Sequence, residues 1–141
     1  MLGGVVFKAA ELADQAQTVA LWKRCGLTTP QNLPEADFER AIMSSSSCVF
    51  VAILDDRVVG CVMVGDDGHR AVVYYLGVDP TVRIFGLGRQ LMTEAETWAK
   101  ARGATKLNLM VREDNKAVFD FYDAIGYEET PRLVMAKWLD T

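Results

Sequence analysis

Residues 78–92 read VDPTVRIFGLGRQLM, and within them the pattern changes from strand to helix. An apolar, β-branched run ends at Val78. Pro80 then stops the strand, because proline lacks the amide hydrogen that a strand ladder needs. From Gly86 onward the apolar residues recur at helical spacing. The pattern predicts a strand, a turn and a glycine-bearing loop that opens directly into an amphipathic helix.

A loop that opens into a helix is a suitable site for a diphosphate. The first amides of a helix have no partner within the helix and lie at the positive end of its dipole. Gly86 and Gly88 let the backbone approach a ligand, and Arg83 and Arg89 can add charge-assisted contacts. Glycines here can also serve only to make the turn, so both interpretations stay open. The loop is not G-x-G-x-x-G, because position 91 is Leu, and no G-K-[ST] follows for a Walker A loop.

The rest of the chain mixes strand and helix patterns around this loop. The patterns predict strands over Val5–Ala9, Cys48–Leu54, Arg57–Gly65, Ala71–Val78, Thr105–Val111 and Arg132–Leu139. They predict helices over Glu11–Cys25, Glu35–Met43, the segment from Gly86 to Gly103, and Asn115–Ile125. The order combines an antiparallel meander with a crossover through a helix, which is typical of an α+β fold. We expect one domain over residues 1–141.

Composition narrows the classes of protein and function. The chain has 141 residues, half of them hydrophobic, with 15 Lys and Arg against 19 Asp and Glu. Such a domain needs no disulfide or metal to be stable. Three cysteines (Cys25, Cys48, Cys61) are an odd number without the spacing of a zinc site, so we expect no metal and a reducing, cytoplasmic location. No run approaches the roughly 18 apolar residues of a membrane span, and the net charge of −4 argues against nucleic acid.

The charge is unevenly distributed along the chain. Residues 81–112 hold six basic and two acidic side chains, a net charge of +4, so the remainder carries −8. This asymmetry suggests an anionic ligand near residues 81–112 and a cationic ligand elsewhere.

Two motifs resemble those of one known enzyme family. The first is R-x-x-G-x-G, formed by Arg83, Gly86 and Gly88 after a strand that ends in V-x-P. The second is N-x-x-[A/V]-x-x-[L/F]-Y-x-x-x-G-[F/Y], matched by Asn115, Val118, Phe121, Tyr122, Gly126 and Tyr127. Together they are similar to the acetyl-CoA signature and the C-terminal motif of the GCN5-related N-acetyltransferases (GNAT). Further matches, such as residues 67–70 and 74–78, resemble the small bacterial YpeA-like branch.

The resemblance implies a GNAT fold, in which a mixed, mostly antiparallel sheet of six to seven strands is flanked by four helices. It implies that acetyl-CoA is the co-substrate. The pantetheine arm would run along Leu76, Gly77 and Val78, and the Val78 amide would polarise the thioester carbonyl. The diphosphate would be held by Arg83 and by the backbone of Ile84, Phe85, Gly86, Leu87, Gly88 and Arg89. Asn115 would hold the pantetheine or the adjoining strand, and Tyr122 would protonate the departing CoA thiolate.

The sequence departs from the family pattern at two places. Ile84 and Phe85 stand where most members have Gly and a basic residue, so we expect weaker CoA binding. Met110 stands where the similar ribosomal-protein enzymes carry Glu, so that proton acceptor is missing. Other candidates for a base or an acceptor contact are Asp66, Asp67, His69, Tyr75 and Glu113. Of these, His69 is the only histidine in the sequence and histidine is a common general base, although a lone loop histidine is more often structural, and the acids can instead attract a cationic amine.

Two functions remain in competition. The first is direct transfer of an acetyl group from acetyl-CoA to a primary amine of a protein or a small molecule, without an acetyl-enzyme, because we expect no cysteine to have a histidine or basic neighbour arranged to activate it. The alternative is a non-catalytic acyl-CoA binding or sensing domain. We expect acetyl-CoA and an amine as partners, with neither nucleic acid nor a membrane. A homodimer through the edge strand Arg132–Leu139 is left open.

Overall fold

The computed structural model describes residues 3–82 and 84–140. The chain divides into two compact units, residues 1–110 and residues 111–141, which are described separately. The first unit contains a five-stranded sheet and three α-helices, and the second contains one α-helix.

The elements of the first unit follow the predicted order. Its strands are β1 (Val6–Ala9), β2 (Ser47–Leu54), β3 (Arg57–Asp66), β4 (Ala71–Val78) and β5 (Leu107–Asn108). Its helices are α1 (Gln15–Arg24), which follows a 3-10 turn at Leu12–Asp14, α2 (Pro34–Met43) and α3 (Leu87–Ala101). The helix of the second unit is α4 (Lys116–Ala124).

The sheet is mixed, with strand order β1-β2-β3-β4-β5. The first four strands pair antiparallel, and β5 pairs parallel to β4. Asp55 and Asp56 make the two-residue turn between β2 and β3 with φ of 50° and 61°. Aspartate tolerates this left-handed conformation, which a tight hairpin turn requires. The predicted α+β class and the four helices are therefore confirmed.

The prediction of six to seven strands was wrong, because the described residues form five. The predicted strand Arg132–Leu139 forms no strand, and most of its large apolar side chains are exposed. The predicted strand Thr105–Val111 shortens to Leu107–Asn108. Strand composition expresses only a preference, since a strand also needs a neighbouring backbone to satisfy its amides and carbonyls.

Helices cover both faces of the sheet, as the alternation of side chains along β3 shows. Cys61 lies in a buried cluster with Trp22 of α1 and Phe38 of α2. The neighbouring Gly60 faces α3, where an added Cβ would lie 2.8 Å from Leu91 Cδ1. Glycine at position 60 thus lets α3 pack closely on β3, and this packing determines where the N-terminus of α3 lies.

Candidate active site

Strand β4 contains a bulge immediately before its C-terminal end. Met63 pairs with Tyr74 and Cys61 pairs with Gly77, so two residues of β4 stand opposite one residue of β3. Tyr75, the first residue of the bulge, has a φ of 53°. This left-handed conformation is uncommon for an aromatic residue and costs on the order of 1–2 kcal/mol.

Contacts with three other segments hold Tyr75 in this conformation. Its ring stacks on Trp22, with ring centroids 3.9 Å apart and an interplanar angle of 9°. Its hydroxyl donates a hydrogen bond of 2.9 Å to Asp37 Oδ2. Its carbonyl accepts from Cys61 Sγ at 3.2 Å, and the same sulfur accepts from Trp22 Nε1 at 3.1 Å. The bulge is therefore tied to α1, α2 and β3 at once.

Protonation states agree with these hydrogen bonds. Burial raises the pKa of the Cys61 thiol to about 12, so the thiol keeps the proton that it donates. Burial, and next the Asp37 carboxylate, raises the pKa of the Tyr75 phenol above its ordinary value. Burial also raises the pKa values of Cys25 and Cys48. At neutral pH these three thiols and the Tyr75 phenol therefore stay protonated and uncharged.

One edge of β4 is open beyond residue 72. Strand β5 pairs only with Ala71 and Val72, and no described residue pairs as a strand with that edge from residue 73 to residue 78. An open edge presents amides and carbonyls to which an extended ligand chain can bind. On Gly77 an added Cβ would lie 3.0 Å from Leu27 Cδ1 and 3.1 Å from Cys25 Sγ, so glycine permits the close approach of the segment that follows α1.

The loop after β4 is anchored by a buried carboxylate. Asp79 is only 1% exposed and accepts hydrogen bonds from Thr81 N at 2.9 Å, Thr81 Oγ1 at 2.8 Å and Arg24 Nη2 at 2.9 Å. These contacts, the bonds from Thr81 first, lower the pKa of Asp79. The sequence identified Asp79 only as part of a turn, whereas the structure uses it to tie the loop to the end of α1.

The first turn of α3 carries no acidic side chain. Gly86 caps the helix with a φ of 85°, and none of residues 3–82 or 84–140 comes within 4 Å of the position where a Cβ would be, its chain neighbours aside. The first turn holds no acidic residue, so its unpaired amides face no carboxylate of their own helix. Phe85 is fully exposed and Leu87 is buried. The backbone from Ile84 to Arg89 thus fits an anionic ligand, and the predicted contact Arg83 lies outside the described residues.

Two further predicted site residues, Asn115 and Tyr122, lie in the second unit. Asn115 caps α4, its Oδ1 accepting from the Val118 amide at 3.2 Å. Tyr122 is 8% exposed, and its ring packs edge-on against Phe121 and Tyr127. Burial raises the pKa of Tyr122 to about 12, so the phenol stays protonated at neutral pH.

The remaining candidates for a base lie in different segments of the chain and have different surroundings. Asp66 Oδ2 pairs with Arg102 Nε at 3.3 Å. Asp67 accepts hydrogen bonds from the Arg70 amide and from the His69 amide, and these bonds, Arg70 first, lower the pKa of Asp67. His69 is an exposed loop residue. Glu113, in the second unit, is also exposed. Tyr75 is the candidate of this set that lines a cavity, which has a volume of about 430 Å³.

Sequence reasoning missed two features of this region. Asp37 lines the same cavity as Tyr75, and Trp22 stacks on that tyrosine. Helical spacing placed both residues on helices, but it could not tell which strand each helix would meet. Within the described residues, no group of His, Cys, Asp or Glu is arranged to hold a metal ion. None of the helices described there is both long and apolar enough to cross a membrane.

Known proteins resemble this chain over most of its length. The family model described as Acetyltransferase (GNAT) family matches residues 16–127. The chain belongs to the GNAT family. An acetyltransferase from Yersinia enterocolitica is 41% identical over 127 residues, covering 90% of each chain. One from Sodalis glossinidius is 44% identical over 115 residues, covering 82% of this chain and 81% of the relative.

A solved structure shows the same GNAT fold at low identity. It is an aminoglycoside N-acetyltransferase in complex with CoA, with a TM-score of 0.84 and 18% identity, and the match covers 96% of this chain and 95% of that one. The resemblance inferred from the two motifs is thereby confirmed at the level of family and fold.

We predict that Asp79→Asn lowers the free energy of unfolding by about 2 kcal/mol at pH 7, because the buried hydrogen bonds lose their charged acceptor. The folded-state pKa of Asp79 is depressed, so its contribution is complete above the ordinary carboxyl pKa and is lost as pH falls through the lowered value. Urea unfolding at pH 3, 5 and 7 should give a difference between the proteins that shrinks only at pH 3. Asp56→Asn, at an exposed turn, is the matched control, and an equal effect there would contradict the anchoring role.

Proposed function

We propose that this protein is an acetyl-CoA-dependent N-acetyltransferase that transfers the acetyl group directly to a primary amine. Three features that follow one another between residues 74 and 90 support this proposal. They are the bulge in β4, the open edge of β4, and the N-terminus of α3, whose first turn has no acidic residue. An extended pantetheine chain suits the edge, and a diphosphate suits the helix N-terminus. We further propose that both units act as one domain, since the family match runs through both.

The binding roles follow from these features. The backbone of Leu76, Gly77 and Val78 would pair with the amide groups of the pantetheine arm. The amides from Ile84 to Arg89 would hold the diphosphate, with the Arg89 side chain, which is exposed, adding charge. Arg83 and Asn115 stay proposed ligands by their motif positions. Since the side chain of Asn115 caps α4, its free amide hydrogens are the groups that would reach a ligand.

In the proposed reaction, the neutral amine attacks the thioester carbon. The C–N bond forms, and the Val78 amide stabilises the charge that develops on the carbonyl oxygen. The C–S bond then breaks, the electron pair leaves on sulfur, and Tyr122 supplies the proton that makes the free thiol. A phenol with a pKa of about 12 holds its proton more strongly than an ordinary thiol. Tyr122 would therefore assist only while charge is still building on the sulfur.

Direct transfer is favoured over an acetyl-cysteine intermediate. A thiol must ionise to act as a nucleophile, and burial raises the pKa values of Cys25, Cys48 and Cys61. Cys25 is also engaged with the Val78 carbonyl at 3.4 Å, and Cys61 with Trp22. These contacts give the thiols structural roles near the site.

The alternative is a non-catalytic acyl-CoA sensor. The side chain that favours it is Met110, which stands where similar enzymes carry a carboxylate and is 56% exposed. A sensor would retain the features that bind CoA and would lack a proton acceptor for the amine.

We expect the protein to release free thiol from acetyl-CoA when a primary amine is added, detected with a thiol reagent. The amine-free reaction is the control for simple hydrolysis, and mass spectrometry of the amine should show one added acetyl group. Binding of acetyl-CoA by calorimetry with no thiol release across peptide, aminoglycoside and alkylamine acceptors would favour the sensor.

We expect Arg89→Gln to weaken CoA binding by about three- to tenfold and to reduce its salt dependence, because one charge beside the diphosphate is removed. The matched control is Lys100→Gln, which removes the same charge from the exposed face of α3 about 16 Å further along the helix. Calorimetry at two salt concentrations makes the comparison. Equal losses in the two variants would mean that only the overall charge matters.

Tyr122→Phe should lower kcat by about ten- to a hundredfold while leaving the affinity for CoA unchanged, because it removes the proposed proton donor and keeps the ring packing. Tyr127→Phe removes a hydroxyl from the neighbouring ring and serves as the control. An unchanged kcat for Tyr122→Phe at saturating substrate would rule out the proton-donor role.

A further inference from the structure

A cavity of about 430 Å³ lies in the first unit, with walls from α2, strands β2 to β4 and the loop before α2. Its lining is mostly apolar and includes Ala41, Met63, Tyr74 and Tyr75. Small-molecule sites usually have volumes of about 300–1,000 Å³ and a largely apolar wall with a few placed polar groups. The cavity is therefore large enough for one small acceptor or for one terminal residue of a chain.

Two charged residues of α2 line this cavity, one acidic and one basic. Asp37 Oδ2 accepts from the Tyr75 hydroxyl at 2.9 Å. Its second carboxylate oxygen has no hydrogen-bond partner among residues 3–82 and 84–140. Arg40, one turn further along the helix, is exposed and makes neither an ion pair nor a side-chain hydrogen bond within that part of the chain. The cavity thus offers one place for a cation, beside a positive charge that repels any further cation.

The cavity adjoins the proposed thioester site through β4. Tyr75 lines the cavity, and Gly77 and Val78, the proposed partners of the pantetheine, follow two and three residues later on the same strand. Because Tyr75 is fixed by Trp22 and Asp37, the wall of the cavity and the proposed thioester site belong to one rigid segment.

We propose that this cavity is the acceptor site and that it takes a primary monoamine carried on an apolar alkyl or aryl body, with Asp37 receiving the amine. The inference rests on the proposed acetyltransferase function. The apolar body would contact Met63 and Tyr74, and the ammonium would contact the free oxygen of Asp37. A polycation fits poorly, since each additional ammonium group in this cavity would lose water without gaining a carboxylate.

The proton balance assigns a second role to Asp37. The ammonium loses one proton to water before attack and the amine loses a second as the C–N bond forms, while Tyr122 gives one proton to the CoA sulfur. The proton released from nitrogen during attack goes to the Asp37 carboxylate and then to water, and water returns a proton to the Tyr122 phenolate. Free amine and acetyl-CoA thus give the N-acetyl amine and CoA thiol.

A comparison of three acceptors tests the inference. The acceptors are 2-phenylethylamine, a short peptide that begins with Phe, and neamine, an aminoglycoside fragment with several ammonium groups. We expect kcat/KM for 2-phenylethylamine or the Phe peptide to exceed that for neamine by at least about tenfold, because burying an extra unpaired charge is costly. The ratio between the first two acceptors distinguishes a free amine from a peptide terminus.

Substitutions on α2 locate the acceptor in the cavity. Asp37→Asn keeps an oxygen for the Tyr75 hydroxyl and removes the charge, so kcat/KM for the monoamine should fall by at least about tenfold while the affinity for acetyl-CoA stays unchanged. Glu35→Gln, an exposed acid of the same helix outside the cavity, is the matched control. Arg40→Gln should raise kcat/KM for neamine relative to that for the monoamine.

The results separate this inference from the proposed function. Turnover with neamine preferred over both apolar amines, or an unaffected Asp37→Asn enzyme, would overturn the acceptor assignment while leaving an acetyltransferase. Acetyl-CoA binding without turnover would contradict the proposed function. In that case calorimetry of 2-phenylethylamine with the CoA-bound protein still tests the cavity, and binding that is equal in the native and Asp37→Asn proteins, or absent from both, would refute it.

Discussion

The site depends on one constraint, which is that Tyr75 stays in a left-handed backbone conformation within β4. The conformation costs on the order of 1–2 kcal/mol. A stacked aromatic pair contributes about 0.5–1.5 kcal/mol, and a hydrogen bond to a carboxylate about 1.5–3 kcal/mol. The contacts of Tyr75 with Trp22 and Asp37 are therefore sufficient to hold the bulge. Because of the bulge, two residues of β4 lie opposite one residue of β3, and the strand beyond Tyr75 takes a new register.

A second anchor acts on the loop that follows. Asp79 is buried, and its bonds to Thr81 and Arg24 fix the start of the segment that leads to α3. Gly60 then allows α3 to pack closely on β3. Helix α1 contributes to both anchors, through Trp22 and Arg24. The strand edge and the helix N-terminus are thus positioned by one common helix, which would keep the two ends of an extended ligand in register.

The uneven charge of the chain now has a structural interpretation. Arg89 lies at the acid-free start of α3, in the segment of residues 81–112 that carries +4. Acidic residues elsewhere serve different purposes, since Asp79 and Asp66 pair with arginines, whereas Asp37 lines the cavity and accepts a hydrogen bond from the Tyr75 hydroxyl. Net charge alone could not distinguish an acid that stabilises a loop from one that lines a cavity. Each acid acquires its role from the group that packs against it.

The sequence by itself determined the helices, the first four strands, the loop that leads into α3 and the family, because periodicity, turn residues and motif spacing are local properties. Tertiary structure decided the rest. Cys61 contacts Trp22 across 39 residues of the chain, and Asp37 contacts Tyr75 across 38 residues. The backbone geometry of Tyr75 depends on those contacts. Tertiary structure also determined that β5 has two residues and that residues 132–139 form no strand. The spacing of apolar residues in the sequence shows which face of a helix is apolar. Which other segment packs against that face depends on the register and packing of segments that are distant in the sequence.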